Sequence, residues 1–301
     1  MQEQVHKQRE NLVHPSLGPI PEQFAELDGE IPEDDLPTLA QVGRVLPLGF
    51  RDQKGIVHRE FELARWDWEL EESLGHLAES NPEMPMGVYI SEVVCAGVKS
   101  LGSLDLTKMK RSERRLLVHS MFFSDVLYLY IWIRIGALGH ALRLGELKCG
   151  HPDCRATVKG FAGDLRTLRV KAFEKPEERR VTLEEGVEYA KERRKVVTVG
   201  PLRWALMESG DPALLANPAK FKLATLQHGV VAIEGAPEGP VYLTSEHLRT
   251  MAPREVNQLI AEIDQCNGGA VMELEVACPR GHRFTRPLDW SYSAFFGPSS
   301  P

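Results

Sequence analysis

The spacing of apolar and polar positions changes period several times along this chain, and each change marks an element. Between Gly55 and Leu63, Val57, Arg59, Phe61 and Leu63 alternate with Ile56, His58, Glu60 and Glu62, a period-two pattern that predicts a strand. The run Val42 to Leu48 precedes it, and Arg51-Asp52-Gln53-Lys54-Gly55 between them is turn-forming, so the segment predicts a hairpin. The spacing then lengthens: Trp66, Leu70, Leu74 and Leu77 recur at helical intervals up to Glu79, and Asn81-Pro82 ends the run. Trp66 and Trp68 are either core residues or an interface anchor, and the apolar stripe favours the core. A second helix is predicted from Gly87 to Ser100, with Cys95 buried and inert among Val93, Val94 and Val98.

The most apolar stretch runs from Leu116 to Leu138, but His119, Asp125 and Arg134 interrupt it. Only Val126 to Ile133 is free of charge at its centre, well short of the roughly 20 residues a membrane span needs, so a buried helix starting near Ser112 is expected. The basic Lys108-Met109-Lys110-Arg111-Ser112-Glu113-Arg114-Arg115 reads as the solvated start of that helix. Gly136 and Gly139 stop it, and Ala141, Leu142, Leu144 and Leu147 lead through a short strand to Cys149.

Beyond Cys154, Thr157 to Phe161 predicts a return strand, and the heavily charged Lys175 to Lys195 predicts a solvent-exposed excursion inside a β region. Strands follow at Val196–Val199 and Val230–Glu234, and helices at Leu202–Glu208 and Asn217–Gln227. A further helix runs from Pro253, where proline is tolerated in the first turn, to Cys266. Asn267-Gly268-Gly269 stops it, and Val271 to Val276 alternates down to Cys278. Helix, glycine stop, strand and cysteine turn therefore occur twice in the same order, at Ile131 to Cys149 and at Val256 to Cys278. The fold class expected is α+β, helices with small sheets stapled by a zinc-knuckle or ribbon-like site. The divisions are a polar arm over 1–38, a hairpin and helical domain over 39–170, an α+β domain over 171–287, and an aromatic tail over 288–301.

Charge narrows the function. With 36 Lys and Arg against 43 Asp and Glu, the formal net charge is -7 and the pI about 5.9, a poor basis for neutralising many phosphates. Five cysteines and an opening Met-Gln-Glu-Gln with no apolar leader fit an intracellular, reducing origin. Residues 1 to 38, with five prolines and the acidic Glu30, Glu33, Asp34 and Asp35, are too polar to fold alone. They form either a loose end or a strap that orders on a neighbour.

Two turns carry the candidate chemistry. Cys149-Gly-His-Pro-Asp-Cys154 and Cys278-Pro-Arg-Gly-His282 each hold two soft or imidazole ligands apart by turn-forming residues. Such pairs let one tight turn aim two donors at a tetrahedral ion, and together they make a Cys149, Cys154, Cys278, His282 site for structural Zn2+. His151 is a substitute ligand from the first turn; two unrelated turns and a Cys149–Cys154 disulfide are the alternatives. The sequence contains no Gly-rich phosphate loop, His-Glu-x-x-His or Gly-x-Ser-x-Gly motif, and a non-enzymatic protein is expected.

With these turns placed, the chain resembles the baseplate or tail assembly proteins of contractile-tailed phages, the family related to the T-even baseplate hub. The resembling features are Arg114 to Ile135 leading through Leu144-Gly145-Glu146-Leu147 into Cys149, the Cys278-Pro-x-Gly-His-x-Phe turn, and Asp289-Trp290-Ser291-Tyr292-Ser293-Ala294-Phe295-Phe296. The family tends to show Cys-x-x-Cys pairs, from which both turns here depart. The resemblance implies a virion tail or baseplate component made in the host cytoplasm. Its partners would be other baseplate, hub or tail-tube proteins, with no membrane segment and no small-molecule substrate. A transient assembly chaperone is a variant of that reading. A zinc-ribbon nucleic-acid-binding factor is the alternative, favoured by Arg280, Arg283 and Arg286 and opposed by the net charge. Trp290, Tyr292, Phe295 and Phe296 form either a docking peptide or a segment that packs back on its own domain.

Overall fold

The computed structural model describes residues 36–173, 176–209, 217–236, 241–289 and 295–296. Expectations for the arm over 1–35 and for Trp290 and Tyr292 lie outside them. The architecture is α+β, with helices packed on several small antiparallel sheets.

A short helix α1 (Leu39–Val42), closed by a Thr38/Gln41 capping box, leads into β1 (Val45–Arg51) and β2 (Val57–Leu63). These pair with β3 (Val98–Leu101) and β4 (Leu104–Asp105) in the order β1-β2-β3-β4. Pro47 lies inside β1, and the register with β2 shifts between Val45 and Phe50. A proline has no ladder donor and a shifted register frees neighbouring amides, so these amides need another acceptor. Asp125 supplies it, accepting from the Leu48 amide at 2.9 Å.

Helices α2 (Trp68–Ser80) and α3 (Met86–Gly97) follow the predicted stripes, with Asp67 capping the first. The helix expected to reach Ser100 ends at Gly97, because Val98 to Leu101 pairs with β2 instead. The single long helix expected from Ser112 is two, α4 (Arg111–Ser120) and α5 (Phe123–Leu138). Met121 and Phe122 are extended between them because a distant segment claims the Met121 carbonyl and the Phe123 amide. Trp204 N–H donates to Met121 O at 2.9 Å and Phe123 N–H to Leu202 O at 3.0 Å. Every residue from Val126 to Ile131 is buried, which is why α5 shows apolar residues all round rather than a stripe. No helix among the described residues is long and apolar enough to cross a membrane.

Small two-stranded pairs follow, β5 (Ala141–Arg143) with β8 (Ala162–Asp164), β6 (Leu147–Lys148) with β7 (Thr157–Val158), and β9 (Val170–Lys171) with β13 (Gly269–Ala270), and the described residues form two apolar cores. The first surrounds α5 and collects Leu46, Phe61, Val94, Leu142, Trp204 and Leu274. The second lies between the sheet β10 (Arg179–Tyr189), β11 (Glu192–Val199), β12 (Val230–Ile233) and the helices α7 (Pro218–Gly229) and α9 (Pro253–Cys266). Between β11 and α7 lies α6 (Ala205–Glu208), and between β12 and α9 lies α8 (Ser245–Arg249). The charged excursion expected over Lys175 to Lys195 is therefore largely the β10–β11 hairpin. Val181, Leu183 and Val187 point into the second core, while intervening arginines and glutamates face solvent. Their density hid a period-two pattern.

The aromatic end has one of its two expected fates at the described positions. Phe295 and Phe296 are buried, stacked or tilted on Tyr130 at centroid distances of 5.2 Å, and Phe296 stacks on Trp66 at 5.4 Å. Arg134 anchors the turn, donating to the carbonyls of Phe295, Gly139 and Ala141. These two residues complete the first core and are not a free docking peptide. Trp66 packs on that core, whereas Trp68 is 74% exposed.

Candidate metal centre

Each knuckle sits at the tip of a small hairpin. Strands β6 (Leu147–Lys148) and β7 (Thr157–Val158) frame Cys149 and Cys154, and β14 (Glu273–Ala277) and β15 (Arg283–Pro287) frame Cys278 and His282. Short antiparallel strands supply the arms, and the turn residues bend the backbone between them. In the first turn Cys149 N–H donates to Ala156 O at 3.0 Å and Cys154 N–H to His151 O at 3.0 Å. In the second, Cys278 N–H donates to His282 O at 2.9 Å and Gly281 N–H to Cys278 O at 2.8 Å. Gly281 takes φ +83°, the left-handed conformation that glycine reaches without a Cβ clash.

The chain brings these hairpins together tip to tip. One donor atom from each of Cys149, Cys154, Cys278 and His282 lies within 4.8 Å of the other three. Cys154 Sγ is 4.0 Å from Cys278 Sγ, and His282 Nδ1 is 3.8 Å from Cys149 Sγ and 3.6 Å from Cys278 Sγ. A four-coordinate ion with metal–sulfur bonds near 2.3 Å and metal–nitrogen bonds of about 2.0–2.1 Å has tetrahedral edges of about 3.8 Å (S–S) and 3.6 Å (S–N). The donor set fits such an ion. All five cysteines are free thiols, so the disulfide alternative does not describe this structure.

The two thiols that face each other across the centre shift in opposite directions. At Cys278 burial pushes the thiol up, but the Arg280 and His282 amides and the neighbouring sulfurs outweigh it, and the net shift is downward. At Cys149 the His151 amide favours the thiolate, yet burial and the sulfurs of Cys154 and Cys278 together raise it. Sulfurs this close cannot all carry charge unless a cation sits between them. Cys95 and Cys266 differ: burial pushes their thiols up to about 12 and about 11, which makes them inert core residues.

His151 is not among the converging donors. Its ring lies parallel to that of His282, with centroids 4.3 Å apart and planes 11° apart, and its Nδ1 accepts from Asp153 N–H at 3.3 Å. No family model, curated protein or solved structure matches this chain. The centre therefore has to be read from its own geometry.

The fold also assembles polar groups that sequence reading missed. Trp204 Nε1 donates to Ser91 Oγ at 2.7 Å; Ser91 Oγ in turn faces the Gly87 carbonyl at 2.9 Å and the Glu208 carboxylate. Glu208 also meets His119 at 2.6 Å and Arg115 at 3.1 Å. A serine, an acid and a histidine are thus linked, but the carboxylate stands between the other two and Ser91 is fully buried. A nucleophile needs its base in direct contact and its oxygen accessible, so this network fastens α6 to α3 and α4. Glu208 reaches His119 across 89 residues and Ser91 across 117, and no local motif marks them.

Proposed function

We propose that this protein is a structural component of a contractile-tail baseplate or related injection apparatus, acting through protein–protein contacts, and that its centre holds one structural Zn2+. The observation that carries the structural role is closure of the site. Four protein donors converge from two turns 124 residues apart, so an ion there has no open position for substrate or activated water. Three thiolates and an imidazole in tetrahedral arrangement suit zinc by ligand softness and geometry. Such an ion would fasten the tip of the β6–β7 hairpin to the tip of the β14–β15 hairpin.

The tail assignment rests on the resemblance of Arg114 to Ile135, the Cys278–His282 turn and the Asp289–Phe296 segment to tail assembly proteins. The protein is expected in purified tail particles by mass spectrometry and bound to tail-tube or baseplate proteins in solution. Binding to those proteins without incorporation would make it an assembly chaperone. A protein that ignores both particles and tail proteins would end the assignment.

One observation favours a second reading, a nucleic-acid-binding zinc ribbon. Lys148, Arg155, Arg280 and Arg286, beside or close to the ligands, are exposed and form no ion pair among the described residues. A binding constant for DNA or RNA that falls steeply with salt would support this reading over the first.

A further inference from the structure

The first knuckle contributes a residue to the centre that is not a ligand. His151 lies within the Cys149–Cys154 turn, yet its imidazole covers the ring of His282 from the opposite knuckle, with centroids 4.3 Å and planes 11° apart. Nδ1 of His151 is engaged by the Asp153 amide, which fixes the ring's orientation. Of the four converging donors, those of the three cysteines are buried and that of His282 is only partly so. The least buried donor of the centre is thus the one that His151 covers.

Release of a tetrahedrally bound ion to a chelator begins at the most accessible donor, which must swing away while a competing ligand enters. The ring stacked on His282 opposes both movements: it restricts rotation of the ligand imidazole and occupies the space through which a chelator approaches. Stacked aromatic pairs at this separation are attractive through their faces and need no metal bond to stay in place. The contact also crosses between knuckles, so the turn that supplies two cysteines guards the histidine of the other.

We propose that His151 is a lid on the metal centre, a positioning residue that slows exchange of the ion through its stack on His282 without ligating it. The proposal rests on the reading of the centre as a metal site. The test uses the full chain loaded with one equivalent of Zn2+ and follows its transfer to 4-(2-pyridylazo)resorcinol, with metal content measured on the same samples.

His151→Ala is expected to retain one equivalent and release it about 10- to 100-fold faster, the scale of losing an outer-shell partner. His151→Phe, which keeps an aromatic ring but no nitrogen donor, is expected to release it at the wild-type rate. An unchanged rate in His151→Ala would overturn the lid. Fast release from His151→Phe would do the same, since stacking would not be the cause. Stoichiometry below one in His151→Ala would make His151 a ligand. A wild-type protein that takes up no ion would remove the centre itself, and the lid with it.

Discussion

The carboxylate of Asp125 and the amide of Leu48, 77 positions apart in the chain, meet at 2.9 Å in a place fully shut off from solvent. One element solves another's problem here: the first turn of α5 supplies an acceptor that the irregular strand β1 lacks. The other oxygen of Asp125 has no partner among the described residues.

That arrangement makes stability depend on pH. Burial raises the Asp125 pKa from 3.8 to about 7, against the opposing pull of the Leu48 and Gly49 amides and of Arg59 and Arg203. Because the folded value is the higher one, the contribution is fully present below pH 3.8 and is lost as pH rises through about 7. Asp125→Asn keeps an acceptor for the amides and removes the charge. Urea unfolding between pH 4 and 8 should show a flatter profile for this variant, the difference reaching the order of a few kcal/mol at the alkaline end. Parallel profiles would contradict the assignment.

Ser91 is the hub joining Trp204 to Glu208. Ser91→Ala leaves the buried indole N–H without its acceptor and takes a donor from the carboxylate, a loss of about 1–3 kcal/mol. Chemical denaturation followed by tryptophan fluorescence would measure it, and the native emission should shift as the environment of Trp204 changes.

Phe295 is fully buried against Tyr130. Phe295→Ala should therefore destabilise the isolated protein by about 3–5 kcal/mol, the cost of a large aromatic cavity. A docking residue would behave differently, losing partner binding with the unfolding midpoint unchanged. Thermal denaturation of the purified variant separates the two.

At the metal centre, Cys278→Ser replaces a soft thiolate with a weakly coordinating hydroxyl. Metal content should fall well below one equivalent, and a loss of about 3 kcal/mol would lower Tm by roughly 6–12 °C for a chain of this size. Retention of a full equivalent would remove Cys278 from the ligand set. Wild-type protein treated with a strong chelator should converge on the variant's melting temperature, since both would lack the same staple.

Local pattern alone determined much of this molecule. The β1–β2 hairpin, the helix that became α9 with proline in its first turn, and the two cysteine turns were legible because period, turn chemistry and capping act over a few residues. The residue types of the ligand set were legible for the same reason. Where long-range partners compete with local preference, the sequence was silent. The helix breaks at Met121 and Phe122 because Trp204 N–H takes the Met121 carbonyl and the Leu202 carbonyl takes the Phe123 N–H, and Val98 turns to strand because β2 is there to pair with it. The β10–β11 hairpin was masked by charge on the face that needs no partner. His151 could not be separated from the four converging donors by spacing, since one turn places it beside the centre in either role. Only the approach of the second hairpin, which sets its ring on His282 and leaves Cys149, Cys154, Cys278 and His282 to converge, decided which four donors belong together.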